Sequence, residues 1–267
     1  MRKVVPKEID SYDVLGIPIS VVTLDIAANK IAQWAKDNIG RFICLRDVAS
    51  LMICLEEPNL KELHQEATIV SPDGMPLAVI GKLKGLPVQK TSGADLMSLV
   101  LSLSAKTGLK HYFYGGKEGV AKKLADVCKE KYPNIKIAGY ECPPFRPLTK
   151  DEDKEVIKRI KASSADIVWV GISSPKQDIW MQQHYKKLPQ TLIGVGAAFD
   201  FLTGEVKRAP KWMQNSGLEW SHRLFSEPKR LWRRYLILAP KFIVAIALDS
   251  IKSNINKHIL RKTDEHS

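Results

Sequence analysis

The sequence predicts an α/β fold: a Rossmann-like, mostly parallel sheet with helices on both faces, extended at the C-terminus by a basic helical appendage. Three observations carry that prediction. Between about residues 40 and 200, short β-branched or aromatic runs alternate with longer stretches of helical period, the pattern of parallel strands joined by crossover helices. Of the 267 residues, 45% are apolar, 7% aromatic and 26% charged. This is ordinary globular composition, which excludes a disordered chain and a polytopic membrane protein and allows a sizeable core. The net charge of +12 is unevenly spread: residues 207–267 hold 13 Lys/Arg against 5 Asp/Glu, and residues 1–206 hold 28 against 24. That shift marks the one candidate boundary, between a core over 1–206 and an appendage over 207–267.

The N-terminus, Met1-Arg2-Lys3-Val4-Val5-Pro6-Lys7-Glu8, is charged and lacks an apolar run, so no signal peptide is expected. Cys44, Cys54, Cys128 and Cys142 form no C-x-x-C pair and have no His at zinc spacing, which points to a reducing cytoplasm and to no metal. Strands are predicted over 42–45, 67–70, 110–114, 135–140, 166–171 and 191–195. Leu96, Leu99, Val100 and Leu103 form an apolar stripe on a helix over 93–107, which starts after Thr91-Ser92-Gly93. Val120, Leu124, Val127 and Cys128 do the same for a helix over 117–131. Thr149 and Glu152 stand at capping-box spacing, so Asp151-Glu152-Asp153 reads as the acidic first turn of a helix rather than as a metal-binding D-x-D.

In such a sheet, ligands bind beyond the carboxyl ends of the strands, and four places there carry candidate chemistry. Ser71-Pro72-Asp73-Gly74-Met75-Pro76 puts a carboxylate on a turn with Pro76 ready to start a helix; Asp73 is either a general base or ordinary Asp-Gly turn chemistry. Gly115-Gly116-Lys117 offers a glycine turn before a helix, suited to a phosphate, although a plain left-handed turn fits as well. Ser173-Ser174-Pro175-Lys176-Gln177 offers hydroxyls, an ammonium and an amide, and equally a capped helix start with Ser174 as N-cap and Pro175 at N1. Gly194-Val195-Gly196-Ala197-Ala198-Phe199-Asp200-Phe201 ends a strand in small residues that admit a ligand closely, with Asp200 as a buried carboxylate holding the loop.

The appendage interleaves Arg208, Lys211, Arg223, Lys229, Arg230, Arg233 and Arg234 with Trp212, Trp220, Phe225, Trp232 and Tyr235. The apolar run over 236–248, interrupted by Pro240 and Lys241, is too short to span a bilayer, which takes about 20 residues. Basic and aromatic surface beside an apolar face is the composition of an interfacial anchor on anionic lipid. A solvated charged face and a core-packed helix remain competing readings. A nucleic-acid arm would have no use for the run over 236–248, so no nucleic-acid partner is expected.

Several of these segments, in order, resemble one family. They are Pro72-Asp73-Gly74-Met75-Pro76, Gly93-Ala94-Asp95-Leu96, Pro143-Pro144-Phe145, Val170-Gly171-Ile172-Ser173-Ser174-Pro175-Lys176-Gln177, the 194–201 segment, and Arg208-Ala209-Pro210-Lys211-Trp212-Met213-Gln214 on to Glu227-Pro228-Lys229-Arg230-Leu231. The chain thereby resembles the WecG/TagA/CpsF glycosyltransferases, also called glycosyltransferase family 26. The resemblance implies an inverting, metal-independent transferase without a cofactor. It would move an N-acetylmannosamine-like sugar from UDP to N-acetylglucosamine on undecaprenyl diphosphate, in bacterial cell-surface polysaccharide or teichoic acid synthesis.

By the same resemblance Asp73 is the catalytic base. The resemblance also puts Gln177 in the substrate pocket, and with the strand-end segments and the departures from the family pattern the candidate substrate-binding residues are Asp47, Gly74, Lys90, Asp95, Gly115, Gly116, Lys176, Gln177, Gly196, Phe199 and Asp200. Arg208, Arg223, Arg230, Arg233, Arg234 and Trp232 fall to the lipid diphosphate and the inner face of the cytoplasmic membrane, where the protein would be peripheral. The chain departs from the family at Leu45 and Asp47, which stand where Thr-x-Asn is common, at Asp178 in place of glutamate, and at Lys90 in place of an arginine. Lysine lacks the guanidinium fork, so the donor sugar is not fixed by these motifs. Two other classes stay open on spacing alone: a Rossmann-type oxidoreductase, which lacks the full glycine fingerprint, and a non-enzymatic basic membrane adaptor. A homo-oligomer covering the apolar tail is a further expectation.

Overall fold

The computed structural model describes residues 8–264, with side chains through residue 252. The N-terminal segment read against a signal peptide lies, up to residue 7, outside the described residues. The chain opens with a hairpin absent from the predicted strands: β1 (Ser11–Val14) and β2 (Ile17–Ser20), antiparallel, with Val14 opposite Ile17. Leu15 and Gly16 both adopt positive φ, 56° and 81°, the geometry of a two-residue turn that matches strand twist. Asp13 Oδ1 accepts the Gly16 N–H.

The elements that follow are α1 (Leu24–Trp34), β3 (Arg41–Arg46), α2 (Val48–Glu56), α3 (Pro58–Glu66), β4 (Ile69–Pro72), α4 (Met75–Leu83), α5 (Gly93–Thr107), β5 (Lys110–Gly115), α6 (Val120–Lys131), β6 (Lys136–Glu141), α7 (Lys150–Ala162), β7 (Ile167–Gly171), α8 (Lys176–His184), β8 (Thr191–Gly194) and α9 (Ala198–Leu202). Strands β3 to β8 form one six-stranded sheet in the order β4-β3-β8-β7-β5-β6, every pair parallel. Each corresponds to a predicted strand, and the largest shift is at 67–70, where the strand is Ile69–Pro72.

Helices cover both faces. Along β3 the residues alternate, Phe42 and Cys44 into a core shared with the hairpin, α2 and α8, and Ile43 and Leu45 into a core shared with α1, α5 and α6. This period of two, buried on both sides, is what a covered parallel sheet requires.

Four helix starts can be set against the sequence. Ser92 caps α5 by accepting the Asp95 N–H, and Thr149 forms the expected capping box with Glu152. Helix α6 begins at Val120 rather than at 117, because Gly119 takes a left-handed φ of 80° immediately before it. Helix α8 begins one residue later than predicted: Pro175, after a cis bond from Ser174, is its N-cap rather than N1, and Ser174 Oγ donates to Asp178 Oδ2 at 2.6 Å instead of capping.

Beyond α9 the chain forms α10 (Lys211–Asn215), α11 (Glu219–Ser226), α12 (Pro228–Trp232), a π-helical segment Arg233–Leu238 and α13 (Ala239–Asp264). Buried Phe242, with Leu238 and Ile246, packs on the core beneath α2. Trp232, Leu236, Val244, Leu248 and Ile251 are exposed. Among the described residues no helix is long and apolar enough to cross a membrane.

Candidate active site

The parallel register of β3 and β4 pairs Arg46 with Pro72, so the next residues, Asp47 and Asp73, leave adjacent strand ends side by side. The Asp73 N–H donates to the Arg46 carbonyl at 2.7 Å, which folds the Pro72-Asp73-Gly74 turn back over β3. Gly74 lies with its Cα against Asp47; a Cβ there would stand 3.4 Å from the Asp47 backbone. Asp47 also caps α2, its Oδ1 accepting the Ser50 N–H at 2.9 Å.

These strand ends form the floor of a cavity of about 650 Å³. Its wall is the start of α5 (Ser92, Gly93, Ala94) and the end of β8 (Val195, Ala197, Ala198), and its roof comes from the appendage: Glu219, Trp220 and Arg223 of α11, Arg234 and Tyr235 of the π segment, and Pro240 and Ile243 of α13. Gly93 is required at the wall, since a Cβ there would meet the Val195 carbonyl oxygen at 2.8 Å.

Ion pairs fasten roof to floor. Arg234 donates to Asp47 Oδ2 from Nε and Nη2, at 3.1 and 2.6 Å. Its place in a π-helical turn, a feature frequent at functional sites, sets the angle at which it reaches inward. Glu219 accepts from Lys90 and from Arg208, and Arg208 holds Asp95.

The electrostatics separate the two strand-end carboxyls. Burial, followed by the neighbouring charge of Asp47, pushes the Asp73 carboxyl up to about 6, against the opposing pull of Lys90 and Arg223. Burial also acts to raise Asp47, but Arg234 and the Ser50 hydrogen bonds outweigh it and hold that carboxyl below its ordinary range. Two neighbouring carboxyls driven apart in this way are the signature of divided acid–base roles. Glu219, raised by burial, is brought below its usual value by Lys90 and Arg208.

The cavity therefore gathers seven of the residues singled out in the sequence: Asp47, Asp73, Gly74, Lys90, Arg208, Arg223 and Arg234. Asp95 stands just behind its wall, bound to Arg208. Gln177 is buried and braces the cavity from outside, its Oε1 accepting the Gly196 N–H at 3.1 Å. The others are not among the lining residues. Gly116 gives its N–H to the Gly171 carbonyl at 3.0 Å and Gly115 packs against Gly171, so the glycine turn joins two strand ends outside the cavity lining. Lys176 lies over the Phe145 ring. Phe199 is buried edge-on to Phe113. Asp200 accepts the Val206 N–H on its backbone carbonyl, and the charges of Lys117 and Arg230 act on its carboxylate. Arg230 pairs with Glu227, and Trp232 and Arg233 face outward.

Glu219 was not singled out as a site residue, although it links Lys90 to Arg208. Two signals were available: it falls in the Gly217-Leu218-Glu219-Trp220 stretch that carries part of the resemblance, and it is one of five acidic residues in a strongly basic segment. The acidic triplet over 151–153 is the start of α7, with Glu152 in the capping box and paired with Arg146. Among the described residues no cluster of three or more His, Cys, Asp or Glu side chains is gathered that could hold a metal ion.

Comparison with known proteins places these residues in context. Residues 12–256 match the model of the glycosyl transferase WecG/TagA/CpsF family. The chain is 32% identical over 215 residues to an N-acetylglucosaminyldiphosphoundecaprenol N-acetyl-beta-D-mannosaminyltransferase of Bacillus spizizenii, covering 80% of this chain and 81% of that one. A protein of the same name from Bacillus subtilis is 30% identical over 227 residues, 84% of each chain.

Proposed function

The chain belongs to the WecG/TagA/CpsF glycosyltransferase family, and from that membership we propose that it transfers an N-acetylmannosamine-like sugar from a UDP-sugar to N-acetylglucosamine on undecaprenyl diphosphate, with inversion and without a metal ion. It is a glycosyltransferase, which removes the oxidoreductase and adaptor readings. The observation that carries the finer proposal is the meeting, in one cavity, of a carboxyl of near-neutral proton affinity with Lys90, Arg208, Arg223 and Arg234.

In this reading the Asp73 carboxylate takes the proton of the acceptor hydroxyl as that oxygen attacks the anomeric carbon. The bond from that carbon to the diphosphate oxygen breaks on the opposite face, and its electron pair leaves with UDP. A base whose pKa lies near the working pH suits the first task. Guanidinium and ammonium groups held in a partly desolvated pocket suit the second, because they face the charge that develops on the leaving diphosphate. Residues 1–206 serve as the catalytic core. The appendage over 207–267 brings it, as a peripheral protein, to the cytoplasmic face of the membrane, and its stretch over 208–243 roofs the cavity. Away from a membrane, a second copy covers the exposed apolar residues of the appendage, which sedimentation across a concentration series would reveal.

A panel of UDP-sugars offered with a short-chain polyprenyl-diphosphate N-acetylglucosamine, with and without EDTA, tests the reading. Transfer from UDP-N-acetylmannosamine with inverted anomeric configuration and no effect of EDTA is expected. Absence of transfer from every donor would retire the substrate assignment, and loss with EDTA that a divalent cation restores would retire the metal-independent mechanism.

A further inference from the structure

Asp47 and Arg234 are separated by 187 positions yet meet at the mouth of the strand pair that carries Asp73. Parallel strands lie about 4.8 Å apart, and the β3–β4 register sets Asp47 and Asp73 one position beyond their last paired residues. From adjacent strand ends the Asp47 charge acts on Asp73, and neighbouring carboxyls each raise the proton affinity of the other. Arg234 bonds to one of the two: both of its hydrogen bonds end on Asp47 Oδ2.

We infer that Asp47 and Arg234 are opposed positioning residues that set the base strength of Asp73, Asp47 strengthening the base and Arg234, delivered by the appendage, restraining it. The inference rests on the reading of Asp73 as the base. It also gives the departure from the family pattern at position 47 a consequence: a carboxylate adds a charge beside the base that an asparagine amide would not.

The other charged and titratable groups facing Asp73 come from separate elements. They are Lys90 before α5, Glu219 and Arg223 on α11, and Tyr235 beside Arg234 on the π segment. None of them lies next to Asp73 along the paired strand ends, as Asp47 does. An anionic ligand that drew the Arg234 guanidinium away from Asp47 would lift the restraint, so the base would gain strength as the diphosphate arrives.

The test is a carbon-detected NMR titration of the aspartate carboxyls in the full chain, with the Asp73 signal assigned by its loss in Asp73→Asn. Asp47→Asn removes the charge while an amide oxygen can still cap α2. Its expected effect is to lower the Asp73 midpoint by about one pH unit. Arg234→Met is expected to raise it, and this second variant carries the test should the first fail to fold. An Asp73 midpoint unmoved in a folded Asp47→Asn chain, or lowered in Arg234→Met, would overturn the inference. The titration needs no turnover, so a chain that transferred no sugar would retire the enzymatic reading and leave this measurement standing.

Discussion

Arg208 grips the Asp95 carboxylate with both terminal guanidinium nitrogens, at 2.6 and 2.7 Å, while its Nε reaches Glu219. Arg208 lies just past the composition shift at residue 206, and Asp95 sits in the first turn of α5. The fork therefore clamps the start of the basic segment onto the core beside the cavity.

Arg208→Lys keeps the charge and loses the two-pronged geometry. It should destabilise the chain by about 1–2 kcal/mol in chemical denaturation and lower kcat/KM. The pH dependence follows the acid's sign. Burial acts to raise Asp95, yet Arg208 and Ser92 bring it down to about 2. Its contribution is thus present above about pH 4 and fades as pH falls toward 2. Melting curves between pH 5 and 2 should show that loss in the wild type and much less of it in Arg208→Ala. Parallel curves for the two would count against the clamp.

Asp73→Asn separates activity from stability. If Asp73 is the base, turnover should fall by roughly 10²–10⁴. Stability should move the other way, because the folded-state pKa of about 6 lies above the ordinary value of about 4 for an aspartate. Such a group makes the wild type lose stability as pH rises from about 4 to 6, with the loss complete above that window. Asparagine abolishes the loss. At pH 7 the variant should melt at or above the wild-type temperature, by an amount on the order of 1 kcal/mol given that the cavity admits water. A large drop in melting temperature would mean that the carboxylate holds the turn together.

The buried pair Arg46–Asp178 supports the same turn from below. Both side chains are fully buried, Nη1 of Arg46 donating to Asp178 Oδ2 at 2.9 Å and to Ser174 Oγ at 3.1 Å. The backbone carbonyl of Arg46 is the one that receives the Asp73 N–H. Asp178→Ala leaves a buried guanidinium without its counter-ion and should cost about 3–5 kcal/mol. Turnover should drop with it, because β3 and α8 no longer share an anchor. Asp178→Glu, which restores the charge one methylene further out, should recover part of both. Equal loss in the two variants would assign the defect to volume rather than charge.

The six parallel strands were legible because each is a short apolar run between turn residues, and that signal is local. The first hairpin was not read, although Tyr12, Val14, Ile17 and Ile19 alternate around Leu15-Gly16; runs of four residues carry too little periodicity to stand out from a loop. The position of Asp73 after a strand was legible, but the partners that decide its chemistry were not. Asp47 is 26 positions away and Arg234 lies in another part of the chain, and only the β3–β4 register and the returning appendage bring them together. At the Gly115-Gly116 turn the sequence leaves two readings open, because residues permissive for a phosphate cradle are also those that let two strand ends touch. There a Cβ on Gly115, whose φ is 140°, would fall 2.6 Å from the Gly171 carbonyl. Gly115→Ala should accordingly destabilise the fold by about 3 kcal/mol, measurable by urea titration.

The proposed membrane attachment would rest on the outer face of the appendage, where Val244, Leu248 and Ile251 are exposed on α13 and Trp232 and Leu236 lie near Arg233. Apolar burial supplies roughly 25 cal/mol per Å², and each basic residue near an anionic leaflet about 1 kcal/mol. Attachment should therefore require both contributions and weaken with salt. The full chain should sediment with vesicles containing anionic lipid, less with neutral vesicles, and less again at high ionic strength. Val244→Glu with Leu248→Glu should release it from the vesicles. Neither side chain is among those lining the cavity, so transfer to a water-soluble short-chain acceptor should continue. Transfer that stopped with the soluble acceptor would show that this face shapes the active site, and sedimentation unchanged in the double variant would move the membrane contact elsewhere on the protein.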